Sequence, residues 1–250
     1  MKAIVGGTGF YSLDFLDKPE KITIRTPFGS TLFFQGNYQG EQICFLPRHG
    51  PDHNYLANQV NYRANIWGLK ESGVDRIIGT SAVGSLNSDM KVGDLIALDQ
   101  LVDFSHHRRD TFNLGSVNFT DPYCQEIRDV IVNSGSGLKI PVHSAATYVA
   151  VEGPRYETAA EIKMWRSLGM DVVGMTNGTE AVLARELGIC YAVIAIVTNT
   201  AAGLSDTQPN LQTHKKVMSE NVNKLKTLTL TTLANIPKEH SCKCCELGLK

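Results

Sequence analysis

The chain has 250 residues, 42% of them hydrophobic and 20% charged, enough to bury a full core. Its 24 Lys and Arg stand against 25 Asp and Glu, so no basic surplus exists to drive sequence-independent binding to nucleic acid or to an anionic membrane. No apolar run reaches the ~20 residues that span a bilayer, and the start, Met1 to Gly7, turns glycine-rich where a signal peptide would need an apolar stretch; a cytosolic globular protein is expected.

Short β-branched runs alternate with amphipathic stretches, which argues for an α/β fold. In chain order, strands are expected at Ala3 to Val5, Gln42 to Leu46, Arg76 to Gly79, Leu95 to Leu98, Ala145 to Val151, Val172-Val173 and Cys190 to Val197. Helices are expected at Leu56 to Glu71, Asp121 to Asn133, Glu157 to Leu168, Thr179 to Leu187 and Thr213 to Leu233. Leu56, Val60, Ala64 and Trp67 recur at helical spacing, so the first helix should lay one face on the sheet. Gly73, Gly169 and Gly188 each follow a helical pattern, where a left-handed C-cap wants glycine. No internal repeat or low-complexity linker divides the chain.

Three turns invite an anion. Gly6-Gly7-Thr8-Gly9 follows the first strand, but Ser12 stands at the third glycine position of a dinucleotide fingerprint, and no acidic residue ends a following strand at the expected offset. Thr8 still sits where a tight turn exposes N–H groups and a hydroxyl. Gly79 to Leu86 is a near miss of a P-loop: Ser85 replaces the lysine that reaches the terminal phosphates. That argues against a nucleoside triphosphate, while Ser81 and free amides at a strand end could hold a single phosphate. Arg48-His49-Gly50 follows another strand, where an arginine can fork onto an oxyanion. Ligands of open α/β sheets collect at such strand ends.

Taken together, six stretches resemble the methylthioadenosine phosphorylase branch of the purine nucleoside phosphorylase family, in particular its 6-oxopurine-specific members. They are Gly6 to Gly9, Arg48 to Gly50, Val60 to Asn65, Ser81 to Leu86, Glu152 to Thr158, and Gly174 to Thr176 followed by Glu180. The resemblance implies one α/β domain over 1–235, with a distorted mixed central sheet flanked by helices, assembled as a homotrimer or a dimer of trimers. It implies phosphorolysis of a purine nucleoside by inorganic phosphate, which is a co-substrate, with no organic cofactor and no metal. By matching position, Thr8, Arg48, His49, Ser81, Ala82 and Thr176 would hold phosphate. Met175 would lie by the ribose, Tyr156 would stack on the base, and Ala201 would join the substrate-binding set.

Three positions depart from the methylthioadenosine pattern. Asn199 stands where adenine-specific enzymes carry an aspartate; its amide can donate to N7 or O6, whereas a carboxylate only accepts. Glu157 replaces a small serine and can accept from N1–H of a 6-oxopurine but opposes the bare N1 of adenine. His214 stands where the methylthio enzymes place an apolar residue, and would bond a 5′-hydroxyl. Asn199, Glu157 and Arg48 thus become the expected catalytic residues, and inosine and guanosine the expected substrates. A methylthioinosine phosphorylase, then a methylthioadenosine phosphorylase, are the alternatives; a nucleosidase using water and a non-catalytic nucleoside-binding protein are the readings from other classes. Phe112 and Phe119 are candidates to cover a neighbouring subunit's sugar, since Ser116 stands where relatives often carry a histidine.

His106-His107-Arg108-Arg109-Asp110 is expected to be a surface loop by the mouth of the site rather than a metal knot. Of six cysteines, Cys44, Cys124 and Cys190 read as reduced core residues. Cys242, Cys244 and Cys245 crowd into a tail, 236–250, expected to be flexible. The tail has enough thiols for zinc or a redox pair, yet it is one ligand cluster without a second half, which argues against a zinc finger. The family resemblance adds a labile tail disulfide as a possibility.

Overall fold

The structure, a computed structural model, describes residues 1–249, so the last residue of the cysteine-rich tail lies outside it. Among the described residues, eleven strands form one mixed sheet flanked by five α-helices, and a sixth, Cys244–Leu247, packs on one of them. The path runs β2 (Asp17–Thr26), β3 (Gly29–Tyr38), β4 (Glu41–Pro47), β1 (Lys2–Gly6), β5 (Arg76–Ser85), β10 (Val172–Gly174), β9 (Thr147–Ala150) and β7 (Gln100–Asp103). On its other edge β5 pairs with β11 (Cys190–Thr200), which pairs in turn with β6 (Leu95–Ala97) and, through it, β8 (Val142–His143). The sheet therefore forks at β5. No described helix is long and apolar enough to cross a membrane.

Period-two alternation sends the central strands' side chains into two apolar layers. Ala3, Val5, Ile77, Tyr191 and Val193 face one way, against Ile66 and Leu69 of α1 (Tyr62–Glu71) and Leu183 of α4 (Asn177–Glu186). Ile4, Ile78, Ala192 and Ile194 face the other, against Ile127 and Ile131 of α2 (Gln125–Leu138) and Leu225 and Leu228 of α5 (Leu211–Asn235). Strands buried on both faces read as continuous apolar runs, which is why they were the legible ones. A third cluster packs Ile162 and Trp165 of α3 (Ala159–Ser167) on Val149 and Val173.

The α/β class and single domain stand as expected, with corrections in detail. The hairpin β2–β3 and the short β7 and β8 were not anticipated; β2 is mostly exposed and polar, and β3 holds only the short apolar run Leu32-Phe33-Phe34 among polar residues. The first helix begins later than its spacing suggests. Asn61 caps it, accepting from Ala64 N at 3.1 Å, while residues 57–59 form a separate 3₁₀ turn and Leu56 is exposed. Helix α2 starts at Gln125 instead of Asp121, because Cys124 N bonds Tyr191 O at 2.8 Å and holds the preceding segment on β11. It then runs through Gly135, where an added Cβ would lie 2.6 Å from Val142. Gly73, Gly169 and Gly188 do adopt positive φ, at +82°, +85° and +63°.

Candidate active site

The largest correction concerns β5. The near-P-loop residues Thr80 to Ser85 are not a loop at all: they continue the strand, because β11 pairs with β5 from Arg76 to Ser85. On the opposite edge, β1 pairs only as far as Gly79 and β10 begins only at Gly84. Residues 80–83 thus have no ladder partner on that edge, and Ser81 and Ala82 lie in the gap. An unpaired strand edge between two diverging neighbours offers backbone N–H groups to a ligand.

A cavity of about 290 Å³ opens at this gap. It is lined by Thr8, Arg48, His49, Ser81, Ala82 and Thr176 on one side, and by Tyr156, Glu157, Met175, Asn199 and His214 on the other. The exception among the expected residues is Ala201. It is buried with Leu86, Ile162 and Val173, and its N–H bonds Ser85 O at 2.9 Å. That bond carries the β5 contact one residue past the end of β11, and Ala201 packs into the core and does not line the cavity.

Around Thr8 the chain makes a tight turn, with Phe10 N on Gly7 O at 3.1 Å and Gly9 at φ +85°. Gly7 N donates to Thr80 Oγ1 at 2.9 Å, tying the turn to β5. A Cβ on Gly7 would sit 2.7 Å from both Arg48 Nη1 and Thr80 O. Only glycine lets the turn and the arginine approach this closely.

Arg48 is fully buried, and its fork is already engaged. Nε and Nη2 bond the two carboxylate oxygens of Glu180 at 2.5 and 2.7 Å, and Nη1 bonds Thr80 O at 2.8 Å. Tyr191 OH donates to Glu180 Oε2 at 2.6 Å. Burial works against the guanidinium charge, but Glu180 outweighs it and holds Arg48 above its ordinary pKa. Three of five N–H donors are spent, so Arg48 can turn only its remaining Nη hydrogens toward an anion. The bidentate grip expected for an oxyanion goes to Glu180, a positioning residue that the motif contained but that reasoning from sequence assigned no role.

His49 accepts no proton easily. Its Nδ1 lies 2.8 Å from Tyr55 O, so Nδ1 carries the hydrogen and Nε2 is left as an acceptor. Burial first, then Arg48, lower its pKa from 6.5 to about 4. A neutral His49 can receive a hydrogen bond from a protonated phosphate oxygen, and is a poor general acid at neutral pH. Between about pH 4 and 6.5 the native state binds fewer protons at His49 than the unfolded chain does. The associated stability is complete above pH 6.5 and is lost as pH falls toward 4. Melting temperatures measured across this window should therefore drop less steeply for His49→Gln than for the wild type; equal slopes would contradict the assignment.

On the far side of the cavity, β11 carries a register shift between Val197 and Asn199. Such a bulge re-aims the next side chain. Asn199 Nδ2 donates one hydrogen to Thr200 O at 2.9 Å, and Oδ1 accepts from Thr198 Oγ1 at 3.1 Å. The amide orientation is thus set by its neighbours, and one Nδ2 hydrogen remains free. Thr198 also contacts Val83 O at 3.2 Å and His214 Nδ1 at 3.1 Å. With its single hydroxyl hydrogen on either oxygen, Thr198 Oγ1 accepts from His214 Nδ1, the tautomer that makes Nε2 an acceptor. Burial lowers the His214 pKa, which keeps the ring neutral. His214 stands in the first turn of α5, whose cap Asn210 accepts from Thr213 N at 2.8 Å.

Glu157 pairs with no other side chain among the described residues, and burial raises its pKa. Tyr156 sits at the rim, 37% exposed. Thr176 opens α4 without capping it through its own hydroxyl, which leaves that hydroxyl free toward the cavity; its N–H bonds Tyr148 OH at 3.2 Å. Within the 106–110 segment His106, His107 and Arg109 are exposed as expected, but Arg108 is not. Its guanidinium bonds the carbonyls of Met175, Val151 and Glu152 and lies 5.3 Å from the Tyr62 ring. It also pairs with the Glu152 carboxylate at 3.4 Å and fastens the two segments that carry Met175 and Tyr156, a role hidden in sequence because its shortest bonds go to backbone carbonyls more than forty residues away. Phe112 is buried against Phe28 and Trp67, with ring centres at 5.0 and 5.2 Å, and so is not available to reach a neighbouring subunit. Phe119 lies under Arg185, 5.9 Å from its guanidinium carbon.

The forked mixed sheet that carries this cavity recurs in proteins of known structure. The phosphorylase superfamily profile matches residues 2–234, and the chain belongs to that family. Among its relatives, a probable 6-oxopurine nucleoside phosphorylase of Dictyoglomus turgidum is 47% identical over 97% of this chain and 94% of that protein. The 6-oxopurine nucleoside phosphorylase of Pyrococcus furiosus is 46% identical over 97% and 95%. An S-methyl-5′-thioadenosine phosphorylase of Thermofilum pendens is 41% identical over 96% and 94%. A crystal structure of methylthioadenosine phosphorylase from Schistosoma mansoni in complex with adenine superposes with a TM-score of 0.92 at 30% identity, covering 98% of this chain and 94% of that one.

Proposed function

We propose that this chain is a purine nucleoside phosphorylase acting on 6-oxopurine nucleosides, releasing hypoxanthine or guanine and ribose 1-phosphate. One observation carries the substrate class: the same cavity offers a free N–H from Asn199 and an unpaired carboxylate from Glu157. A 6-oxopurine presents O6 and N7 as acceptors and N1–H as a donor, and so matches both. Adenine presents a bare N1, which would leave the Glu157 charge opposed.

Phosphate would lie in the gap of β5, held by Thr8, Ser81, Thr176, the Ala82 amide and the spare hydrogens of Arg48, with His49 accepting from its protonated oxygen. A phosphate oxygen bonds C1′ as the C1′–N9 bond breaks, and the bonding pair leaves with the purine. Positive charge then builds on the sugar beside the phosphate, and negative charge on the base beside the Asn199 donor. Catalysis here is electrostatic placement. Tyr156 would fix the plane of the base, Met175 would flank the ribose, and His214 Nε2 would accept from the 5′-hydroxyl. As proposed, the reaction needs phosphate as co-substrate and no organic cofactor or catalytic metal. A homotrimer or a dimer of such trimers in the cytoplasm completes the reading.

The test is base release from inosine, guanosine, methylthioinosine and methylthioadenosine, with and without phosphate. Strictly phosphate-dependent release from the first two at the highest kcat/KM is expected. Preference for methylthioadenosine, or release without phosphate, would overturn the proposal. Combining Asn199→Asp with Glu157→Ser should move the inosine-to-adenosine ratio toward adenosine by about 10-fold or more, since each unmatched polar contact costs ~1–3 kcal/mol. An unchanged ratio would dismiss these two residues as the determinants.

A further inference from the structure

Four of the six cysteines meet at one point. Cys124 is the N-cap of α2, Cys190 opens β11, and Cys242 and Cys244 come from the tail. Their Sγ atoms all lie within 4.8 Å of one another, and Cys190 and Cys242 are 3.2 Å apart. Cys124, Cys190 and Cys244 are buried and Cys242 is half-buried. The second half of a ligand set, missing from the tail itself, is supplied from segments far away in sequence.

We propose that Cys124, Cys190, Cys242 and Cys244 form a structural tetrathiolate site for a single divalent cation of the zinc class. The geometry fits this chemistry. With Zn–S bonds of about 2.3 Å, tetrahedral sulfurs stand ~3.8 Å apart, so each thiolate needs to move by no more than about 1 Å. Two disulfides would instead require two sulfur pairs at ~2.05 Å, whereas all four thiols stand free in this structure.

The surroundings suit a net-negative tetrathiolate centre. Arg76 stands beside Cys190 in the β5–β11 ladder and is buried, and its Nε and Nη2 have no partner among the described residues. The N-terminal end of α2 begins at Cys124, where the helix dipole favours negative charge. His240 Nδ1 lies 3.5 Å from Cys190 Sγ, with its Nε2 on Asp75 at 3.1 Å, the kind of outer contact that orients a ligand sulfur. Around the cluster the tail is held by Ser241 N on Glu126 at 3.1 Å and Leu249 N on Glu186 O at 2.9 Å. Four protein ligands leave no open position, so the site is structural. Cys190 and Asn199 mark opposite ends of β11, about 30 Å apart at ~3.3 Å per residue, which separates the site from the cavity.

The experiment is metal analysis of the full chain, purified under reducing, anaerobic conditions from zinc-supplemented cells and dialysed against a weak chelator. About one zinc per chain is expected. Cys242→Ser and Cys244→Ser should each lower the bound metal about 10-fold or more, whereas Cys44→Ser and Cys245→Ser should retain it. Should the serine variants fail to fold, the wild-type chain reconstituted with cobalt(II) decides. A tetrahedral tetrathiolate gives sulfur-to-cobalt charge-transfer and visible d–d bands. A reduced, folded wild-type chain that takes up neither metal would overturn the proposal. So would loss of metal in Cys245→Ser, or a mass showing these four thiols joined as disulfides in the protein as purified without reductant.

Discussion

Asn199→Ala should lower kcat for inosine phosphorolysis by about 100- to 1,000-fold, the cost of removing one donor aimed at charge that develops in the transition state. The free Nδ2 hydrogen is held in place by two bonds, to Thr200 O and from Thr198 Oγ1, so no reorganisation is needed as the purine becomes anionic. KM for inosine should change far less than kcat, because the donor gains most when the base carries charge. The fold should be spared. Asn199 is half-buried at the end of β11, and its backbone pairing with Gly84 does not depend on the side chain. The measurement is steady-state base release beside a melting curve. Wild-type kcat in a folded variant would remove Asn199 from the leaving-group role.

Arg48→Met should destabilise the protein by about 3–5 kcal/mol, because it strands the Glu180 carboxylate in the core without its partner. At the size of this chain that corresponds to a drop in Tm of roughly 6–20 °C. Glu180 is 2% exposed, and its remaining neighbour, Tyr191 OH, satisfies only one of its oxygens. Adding Glu180→Gln to Arg48→Met should recover part of the loss, since the charge rather than the missing arginine is what costs most. The double variant should still bind phosphate poorly, having lost the cationic edge of the cradle. A single variant melting within about 2 °C of wild type would show that the pair is worth little to the fold.

The parts of this molecule that were legible in sequence are those whose signal is local. Apolar strands such as Ala3 to Val5 announce themselves because both faces are buried. Thr8 and Glu157 could be placed because each belongs to a motif, Asn199 and His214 because their positions match the family pattern, and the fold gathers all four around one cavity. Glu180, Arg108 and the open edge of β5 were not legible. Each owes its role to a partner far away in the chain, and two of the three partners are backbone atoms or the absence of a strand. Ser81 to Ser85 look like a loop in sequence because their glycine and serine content is loop-like; only the pairing with β11 makes them a strand. The cysteine cluster was invisible for the same reason, being split among three segments.

The irregularity at Thr198 has a consequence for how such a chain can vary. Side chains along a strand alternate faces, so deleting one residue upstream of Asn199 in β11 would swap the orientation of the positions beyond it. The amide would turn into the core and a threonine hydroxyl would take its place. Length changes inside β11 should therefore extinguish turnover even where the protein still folds, while changes in the exposed stretch from Ser205 to Gln208 should be absorbed. Evolution is left free to vary that stretch but is bound to keep the residue count of β11.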